Sequence, residues 1–117
     1  MHIESFREYC LAKPGVTEEF PFDITTLVFK VGGKMFTLTD LEDEFAVTLK
    51  CDPEYSIVLQ ELYSQITGAY HMNKKHWISV LEATSFDEKL LKKLIDDSYG
   101  LVFKSLSGKI SKTILGG

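Results

Sequence analysis

Residues 69–77, AYHMNKKHW, concentrate side chains that bind metals, transfer protons or contact phosphates. A tetrahedral zinc site needs ligands that converge on one point. His71 and His76 are five residues apart and share a face of neither a helix nor a strand. Neither cysteine nor carboxylate follows nearby to complete a ligand set. The stretch therefore predicts no metal site.

Nucleophilic catalysis is not indicated elsewhere in the chain. A nucleophile needs a base within hydrogen-bond reach, and neither a GxSxG motif nor a reactive-cysteine signature occurs. Cys10 and Cys51 lie in apolar patterns without CxxC spacing, which predicts buried free thiols. Asp96 and Asp97 are adjacent in a predicted helix and point about 100° apart, so they do not form a catalytic pair. We expect a non-enzymatic protein without a cofactor.

Two further motifs favour structural roles. The pair Gly32-Gly33 precedes a strand, so no helix N-terminus follows it to bind a phosphate. The acidic run over residues 40–44 lacks the glycine and the alternating spacing of a calcium loop. It is interpreted as a solvated turn.

Phosphate contact is the chemistry left to residues 69–77. The net charge is −4, but residues 1–68 hold five basic and twelve acidic side chains, whereas residues 69–117 hold eight and five. Lys74 and Lys75 are suited to phosphates, and Tyr70 or Trp77 offers a ring for stacking. The alternative is an exposed turn before a buried Trp77, because aromatic residues in strands usually belong to the core.

The pair Gly32-Gly33 is flanked by two alternating runs, which predicts a β-hairpin with a two-residue turn. That turn would place Phe29 opposite Phe36 and Leu27 opposite Leu38. All four side chains would then share the buried face.

Three helices are expected around the strands. Residues 2–13 form the first, and the second begins at Asp52-Pro53, an N-cap followed by proline. Its predicted core residues are Tyr55, Val58, Leu59 and Leu62. A capping box over residues 85–88 opens the third helix, whose predicted core residues are Leu91, Leu94, Ile95, Ser98 and Val102.

These elements predict an α+β fold in a single domain over residues 1–117. Residues 45–50 and 77–82 supply further strands, which gives the order α-β-β-β-α-β(-β)-α. The expected architecture is an antiparallel sheet of four to five strands with helices packed on one face. Residues 105–117 are expected to be a loosely ordered tail or a short turn. No apolar run is long enough to span a bilayer and no signal peptide is indicated, so a cytoplasmic protein is expected.

Four motifs, in this order and spacing, resemble the MmcQ/YjbR family of small bacterial proteins. They are CLAKPGVTEEFPF, VFKVGGKMF, HMNKKHWISV and LIDDSYGLV, and the resemblance covers residues 3–104. It implies a fold similar to that of frataxin and CyaY, and DNA binding of a double-wing type. By position, the characteristic block of the family falls on His71, Asn73, Lys74, His76 and Trp77, and its hairpin on Gly32, Gly33 and Lys34.

Two functional hypotheses follow. The first is weak, salt-sensitive and largely sequence-independent binding of double-stranded DNA. Its candidate residues are Lys34, Tyr70, His71, Asn73, Lys74, Lys75 and His76. The second is a protein-interaction or small-ligand-binding module without nucleic-acid activity. One contiguous positive face would favour the first, and interrupting carboxylates the second. A monomer or a weak dimer through an exposed strand edge is expected.

Overall fold

The computed structural model describes residues 1–69 and 72–116, and within these ranges it contains four helices and six strands. The fold is α+β, as predicted. In chain order the elements are α1 (Ile3–Leu11), β1 (Val16–Glu19), β2 (Thr26–Val31), β3 (Lys34–Asp40), β4 (Val47–Lys50), α2 (Pro53–Leu62), β5 (Ile66–Gly68), β6 (Trp77–Val80), α3 (Glu88–Lys104) and α4 (Gly108–Gly116).

The strands form an antiparallel sheet in the order β1-β2-β3-β4-β6-β5. Helices α1, α2 and α3 contribute to a core with one face of this sheet. We call the other face the open face. It carries Thr26 of β2, Leu38 of β3, Thr48 of β4 and Ser79 of β6, which line a common groove.

The turn at Gly32-Gly33 confirms the predicted hairpin. Val31 lies opposite Lys34, and the two glycines have φ angles of 58° and 81°, which residues other than glycine rarely adopt. A Cβ atom at Gly32 would lie 2.7 Å from the Leu106 side chain. The glycine therefore also lets the segment after α3 pack against the turn.

A β-bulge in β3 changes the predicted register. Phe29 lies opposite Thr37, whereas the sequence predicts Phe36, which is the extra residue of the bulge. Phe36 and Thr37 are both buried. Beyond the bulge the predicted pairing of Leu27 with Leu38 is wrong, because one inserted residue moves every later side chain to the opposite face. Leu38 is therefore half-buried on the open face.

Ser98 of α3 satisfies backbone groups next to the bulge. Its Oγ donates a hydrogen bond to the carbonyl oxygen of Phe36 at 2.6 Å and accepts one from the backbone N–H of Lys50 at 2.9 Å. The side chain is fully buried. One hydroxyl thus joins α3 to β3 and to the last residue of β4, where unpaired backbone groups would be costly.

The core face of α3 is confirmed in full. The five predicted residues Leu91, Leu94, Ile95, Ser98 and Val102 are all buried. The helix does not begin with the predicted capping box, because Asp87 is the N-cap and its carboxylate accepts from Leu90 N at 3.2 Å. A carboxylate at this position also interacts favourably with the helix dipole.

Helix α2 begins as predicted but turns a different face to the core. The carboxylate of Asp52 accepts two backbone N–H groups of the first turn, both at 3.1 Å. Leu59 is buried, whereas Val58 is 46% and Leu62 is 69% exposed, so their predicted core positions are wrong. The helix packs mainly near the edge strand β5, and this narrow contact buries Ser56 and Leu59.

Two elements differ from the sequence-based prediction. Strand β1 lies between α1 and β2, where the sequence analysis places no strand, and the described sheet has six strands and not four to five. The guanidinium of Arg7 holds β1 against α1 through Glu18, with Nε and Oε2 2.9 Å apart, and it lowers the pKa of that carboxyl. Residues 108–116, predicted as a loose tail or short turn, form α4.

We expect Ser98→Ala to lower the free energy of unfolding by about 1–3 kcal/mol, because it leaves buried backbone groups of Phe36 and Lys50 without their partner. Urea unfolding followed by circular dichroism measures this. Ser85→Ala is the matched control, since it removes an exposed serine hydrogen bond and is expected to cost less than about 0.5 kcal/mol. Equal losses in the two variants would contradict the bridging role of Ser98.

Candidate nucleic-acid interface

The turns of the β2–β3 and β5–β6 hairpins lie at the same end of the sheet. Because neighbouring strands are antiparallel, one end of the sheet collects the end of β2, the start of β3, the end of β4, the start of β6 and the end of β5. The pairs Val31–Lys34 and Lys50–Trp77 lie at this end. We call it the hairpin end.

The turn before β6 is built around Asn73. Its Oδ1 accepts a hydrogen bond from the backbone N–H of Lys75 at 3.0 Å. Its carbonyl oxygen accepts from the backbone N–H groups of His76 and Trp77, at 3.0 and 2.9 Å. Lys74 and Lys75 are exposed on this turn. Asn73 therefore shapes the turn that presents the two lysines.

His76 ties the same turn to the end of β4. Its carbonyl oxygen accepts a hydrogen bond from the backbone N–H of Cys51 at 2.8 Å, and its side chain is half-buried. The basic turn is thus fixed to the residue that follows Lys50. Tyr70 and His71, which the sequence also assigns to the site, lie outside the described residues.

Two further lysines lie at the β2–β3 turn, one on the turn and one on the neighbouring helix α4. Lys34 Nζ lies 3.3 Å from both the carbonyl oxygen and the Oγ of Ser105, the C-cap of α3. A cation at a helix C-terminus interacts favourably with the helix dipole. Lys109 of α4 lines the same cleft as Gly32-Gly33. Packing of α4 therefore brings a basic residue of the tail to this turn.

Lys50 lies between the two turns in the strand order. It lines a cavity of about 310 Å³ between α2 and α3, together with Lys104, Asp52 and Asp97. The carboxylate of Asp52 caps α2, and that of Asp97 pairs with Lys93 at 2.7 Å. Carboxylates thus interrupt the basic surface, but these two have partners within the fold.

Several lysines at the hairpin end are not neutralised by a carboxylate. Among the residues that the structure describes, Lys34, Lys50, Lys75, Lys104 and Lys109 form no ion pair. The acidic loop over residues 40–44 follows β3 and lies at the opposite end of the sheet. The charges are therefore separated along the strand direction, and these five lysines can contact phosphates without first losing an ion pair to a described residue.

Trp77 is half-buried and does not belong to the core, although the sequence predicts that it is buried. Ile78 and Val80 of the same strand are buried, whereas Trp77 alternates with them and is half-buried on the open face. Its partner across the sheet is Lys50. The alternation of residues 77–80 already contained this signal, because strand neighbours point to opposite faces. Sequence reasoning missed Lys50 altogether as a candidate residue.

The sequence profile of the YjbR family matches residues 11–101. The chain belongs to the YjbR family. A relative from Escherichia coli O157:H7 with the name "Uncharacterized protein YbdF" is 40% identical over 112 residues, which cover 95% of this chain and 92% of the relative. "Uncharacterized protein YjbR" of Escherichia coli K12 is 32% identical over 100 residues, 85% of each chain. The predicted family resemblance is confirmed, and these names assign no activity.

Two solved structures share the fold of this YjbR-family chain. A Deinococcus radiodurans protein with a DUF419 domain superimposes with a TM-score of 0.88 at 36% identity, over 96% of this chain and 86% of that one. A Pseudomonas syringae protein gives a TM-score of 0.74 at 28% identity, over 86% and 98%. The expected similarity to frataxin and CyaY stays a prediction.

Both cysteines of this YjbR-family chain are free thiols buried in the fold. Burial raises the pKa of Cys10 to about 12 and that of Cys51 to about 11, so both thiols are protonated at neutral pH and are poor nucleophiles. Within the described ranges, no group of three or more histidine, cysteine, aspartate and glutamate side chains could hold a metal ion. Among the helices that the structure describes, none has the length and apolar composition of a membrane-spanning segment.

We expect Trp77→Ala to destabilise the protein less than Ile78→Ala. Replacing the buried Ile78 costs about 2–5 kcal/mol, because it leaves a cavity, whereas half-burial of Trp77 contributes about 1–1.5 kcal/mol. Urea unfolding followed by circular dichroism compares the two variants without relying on tryptophan fluorescence. An equal or larger loss of unfolding free energy in Trp77→Ala would show that Trp77 belongs to the core.

Proposed function

We propose that this YjbR-family protein is non-enzymatic and binds double-stranded DNA through the hairpin end of its sheet. The observation that carries the proposal is the position of two separate turns at one end of the sheet, with Lys34 exposed on one and Lys74 and Lys75 on the other, while the acidic loop lies at the opposite end. In this proposal the two turns act as the wings that the family resemblance implies. The proposal implies a cytoplasmic protein that acts as a monomer or weak dimer.

The spacing of the two turns supports contact with both borders of one groove. Strands β3 and β6 are separated by β4, and two strand spacings amount to about 10 Å. The major groove of B-DNA is about 12 Å wide. Lys34 on one turn and Lys75 on the other are therefore suited to phosphates on opposite sides of the groove.

Binding of this kind is weak and sensitive to salt. Lysine contacts to phosphates position a protein on DNA but do not read its sequence. Only a few lysines line the hairpin end, and the chain as a whole has a net charge of −4. We expect the logarithm of the affinity to fall with the logarithm of the salt concentration with a slope of about −2 to −4.

Fluorescence anisotropy of a short labelled duplex tests the proposal. We expect the double variant Lys74→Glu, Lys75→Glu to bind at least about tenfold more weakly than wild type at low salt, because two phosphate contacts become repulsive. The matched control is Lys89→Glu, Lys92→Glu, which changes the net charge equally in the N-terminal half of α3. We expect a much smaller effect from this control.

Three outcomes would contradict DNA binding at this site. They are the absence of binding by wild type at low salt, equal weakening by the two double variants, and an affinity that does not depend on salt. Circular dichroism of each variant shows that a loss of binding is not a loss of fold.

A second candidate function, binding of another protein, is favoured by a different observation. The open face carries a groove whose lining combines apolar side chains with carboxylates of the acidic loop. This groove extends away from the hairpin end and does not depend on Lys74 or Lys75.

A further inference from the structure

A groove of about 730 Å³ runs over the open face along β3. It extends from Met35 near the hairpin end to Asp40 at the other end of the strand, a distance of about 17 Å. Phe22, from the connection between β1 and β2, and Met72, from the turn before β6, also line it. Its length is that of about five residues of extended peptide.

The lining of the groove presents apolar surface to solvent. Phe22 is 68% exposed and Leu81 is 42% exposed, although both are large apolar side chains. Met35, Leu38 and Met72 line the same groove and are half-buried. The β-bulge creates part of this surface, because it turns Leu38 outward. Contiguous exposed apolar surface of this kind marks a binding site more often than scattered single residues do.

Carboxylates surround the end of the groove that lies away from the hairpin turns. Asp40, Asp43 and Glu44 line it there. Asp43 and Glu44 make no side-chain hydrogen bond or ion pair with any described residue. The described lining includes no lysine, arginine or histidine. An adjoining cavity of about 740 Å³ adds Glu82 to the same acidic rim.

We propose that this groove binds a peptide segment of another protein in which a large apolar residue stands next to a lysine or arginine. The apolar side chain packs against Phe22 and Leu38. The basic side chain pairs with Asp43 and Glu44, whose charges are otherwise uncompensated. Charge complementarity of this kind selects cationic partners and excludes anionic ones.

A second copy of the chain is a poorer occupant than a separate partner. On α4 an exposed apolar residue stands beside basic ones, because Ile110 is 41% exposed and Lys109 and Lys112 are exposed. That helix packs at the Gly32-Gly33 turn, not at the groove. Contact between α4 of one copy and the groove of another is heterologous, and such contacts build rings or open filaments instead of a closed two-fold dimer.

Selection from a displayed library of random short peptides tests the proposal. We expect the enriched peptides to combine an aliphatic or aromatic residue with an adjacent lysine or arginine. Fluorescence anisotropy of one such synthetic peptide is expected to show about tenfold or greater weakening by Phe22→Ala, and likewise by Asp43→Lys, Glu44→Lys. Phe22 is mostly exposed, so its loss leaves the fold intact.

Matched controls come from the exposed face of α2. Ile57 is 60% exposed, and Glu54 and Glu61 are exposed carboxylates outside the groove. Ile57→Ala and the double variant Glu54→Lys, Glu61→Lys are expected to leave peptide binding unchanged. The variant Lys74→Glu, Lys75→Glu is expected to retain it too, so this test and the DNA test fail independently.

Three results would overturn the proposal. The first is the absence of enriched peptides, or enrichment of peptides without a basic residue. The second is equal weakening by the groove variants and the α2 controls. The third is a self-association in sedimentation equilibrium that Phe22→Ala abolishes, which would assign the groove to a second copy of this chain.

Discussion

The hydroxyl of Ser98 holds α3 against the central strands at the point where β3 bulges. It donates to the carbonyl oxygen of Phe36 and accepts from the backbone N–H of Lys50. The bulge sets which face each later side chain of β3 occupies, and the contact with Lys50 sets where β4 ends relative to α3. Both the groove on the open face and the surface between the two hairpin turns depend on this local geometry.

The bulge connects packing with surface chemistry. It keeps both Phe36 and Thr37 in the buried layer, where the Thr37 Oγ1 donates to the carbonyl oxygen of Thr48 at 2.8 Å. The same extra residue places Leu38 on the open face, where it lines the groove. A regular hairpin would have buried Leu38 and left the groove without its central apolar contact. The one extra residue in β3 therefore determines both which side chains are buried and which side chain lines the groove.

The separation of charge along the strands supports two distinct binding surfaces in one small protein. Exposed lysines collect at the hairpin end because the two turns and the end of β4 share it. Carboxylates collect at the opposite end because the loop after β3 is acidic. A net charge of −4 conceals this arrangement. This separation is what the two proposals use: a polyanion is expected to approach one end of the sheet and a cationic peptide the other.

The sequence predicted those structural features that depend only on residues close together in the chain. The core face of α3 followed from its apolar spacing, and the start of α2 followed from Asp52 and the proline after it. The exposed positions of Val58 and Leu62 were not predictable, because they depend on where α2 meets the sheet. The bulge at Phe36 depends on a contact with α3, which lies more than sixty residues later in the chain.

The candidate site shows the same division between local and distant information. The lysines of the basic turn were identified from composition, since they lie within one short stretch. Lys50 was not identified, because only the strand order brings it beside that turn. The position of Trp77 was available from strand alternation but was overridden by the general preference of aromatic residues for the core.

Amide chemical-shift mapping with a short DNA duplex shows directly whether DNA binds at the hairpin end. Two-dimensional NMR spectra of isotope-labelled protein report on both ends of the sheet in one titration. We expect shifts at Lys34, Lys50 and residues 73–77, which fade as salt is added, and unchanged amides over residues 40–44. Shifts centred on the acidic loop or on α2, or the absence of any shift at low salt, would contradict binding at the hairpin end.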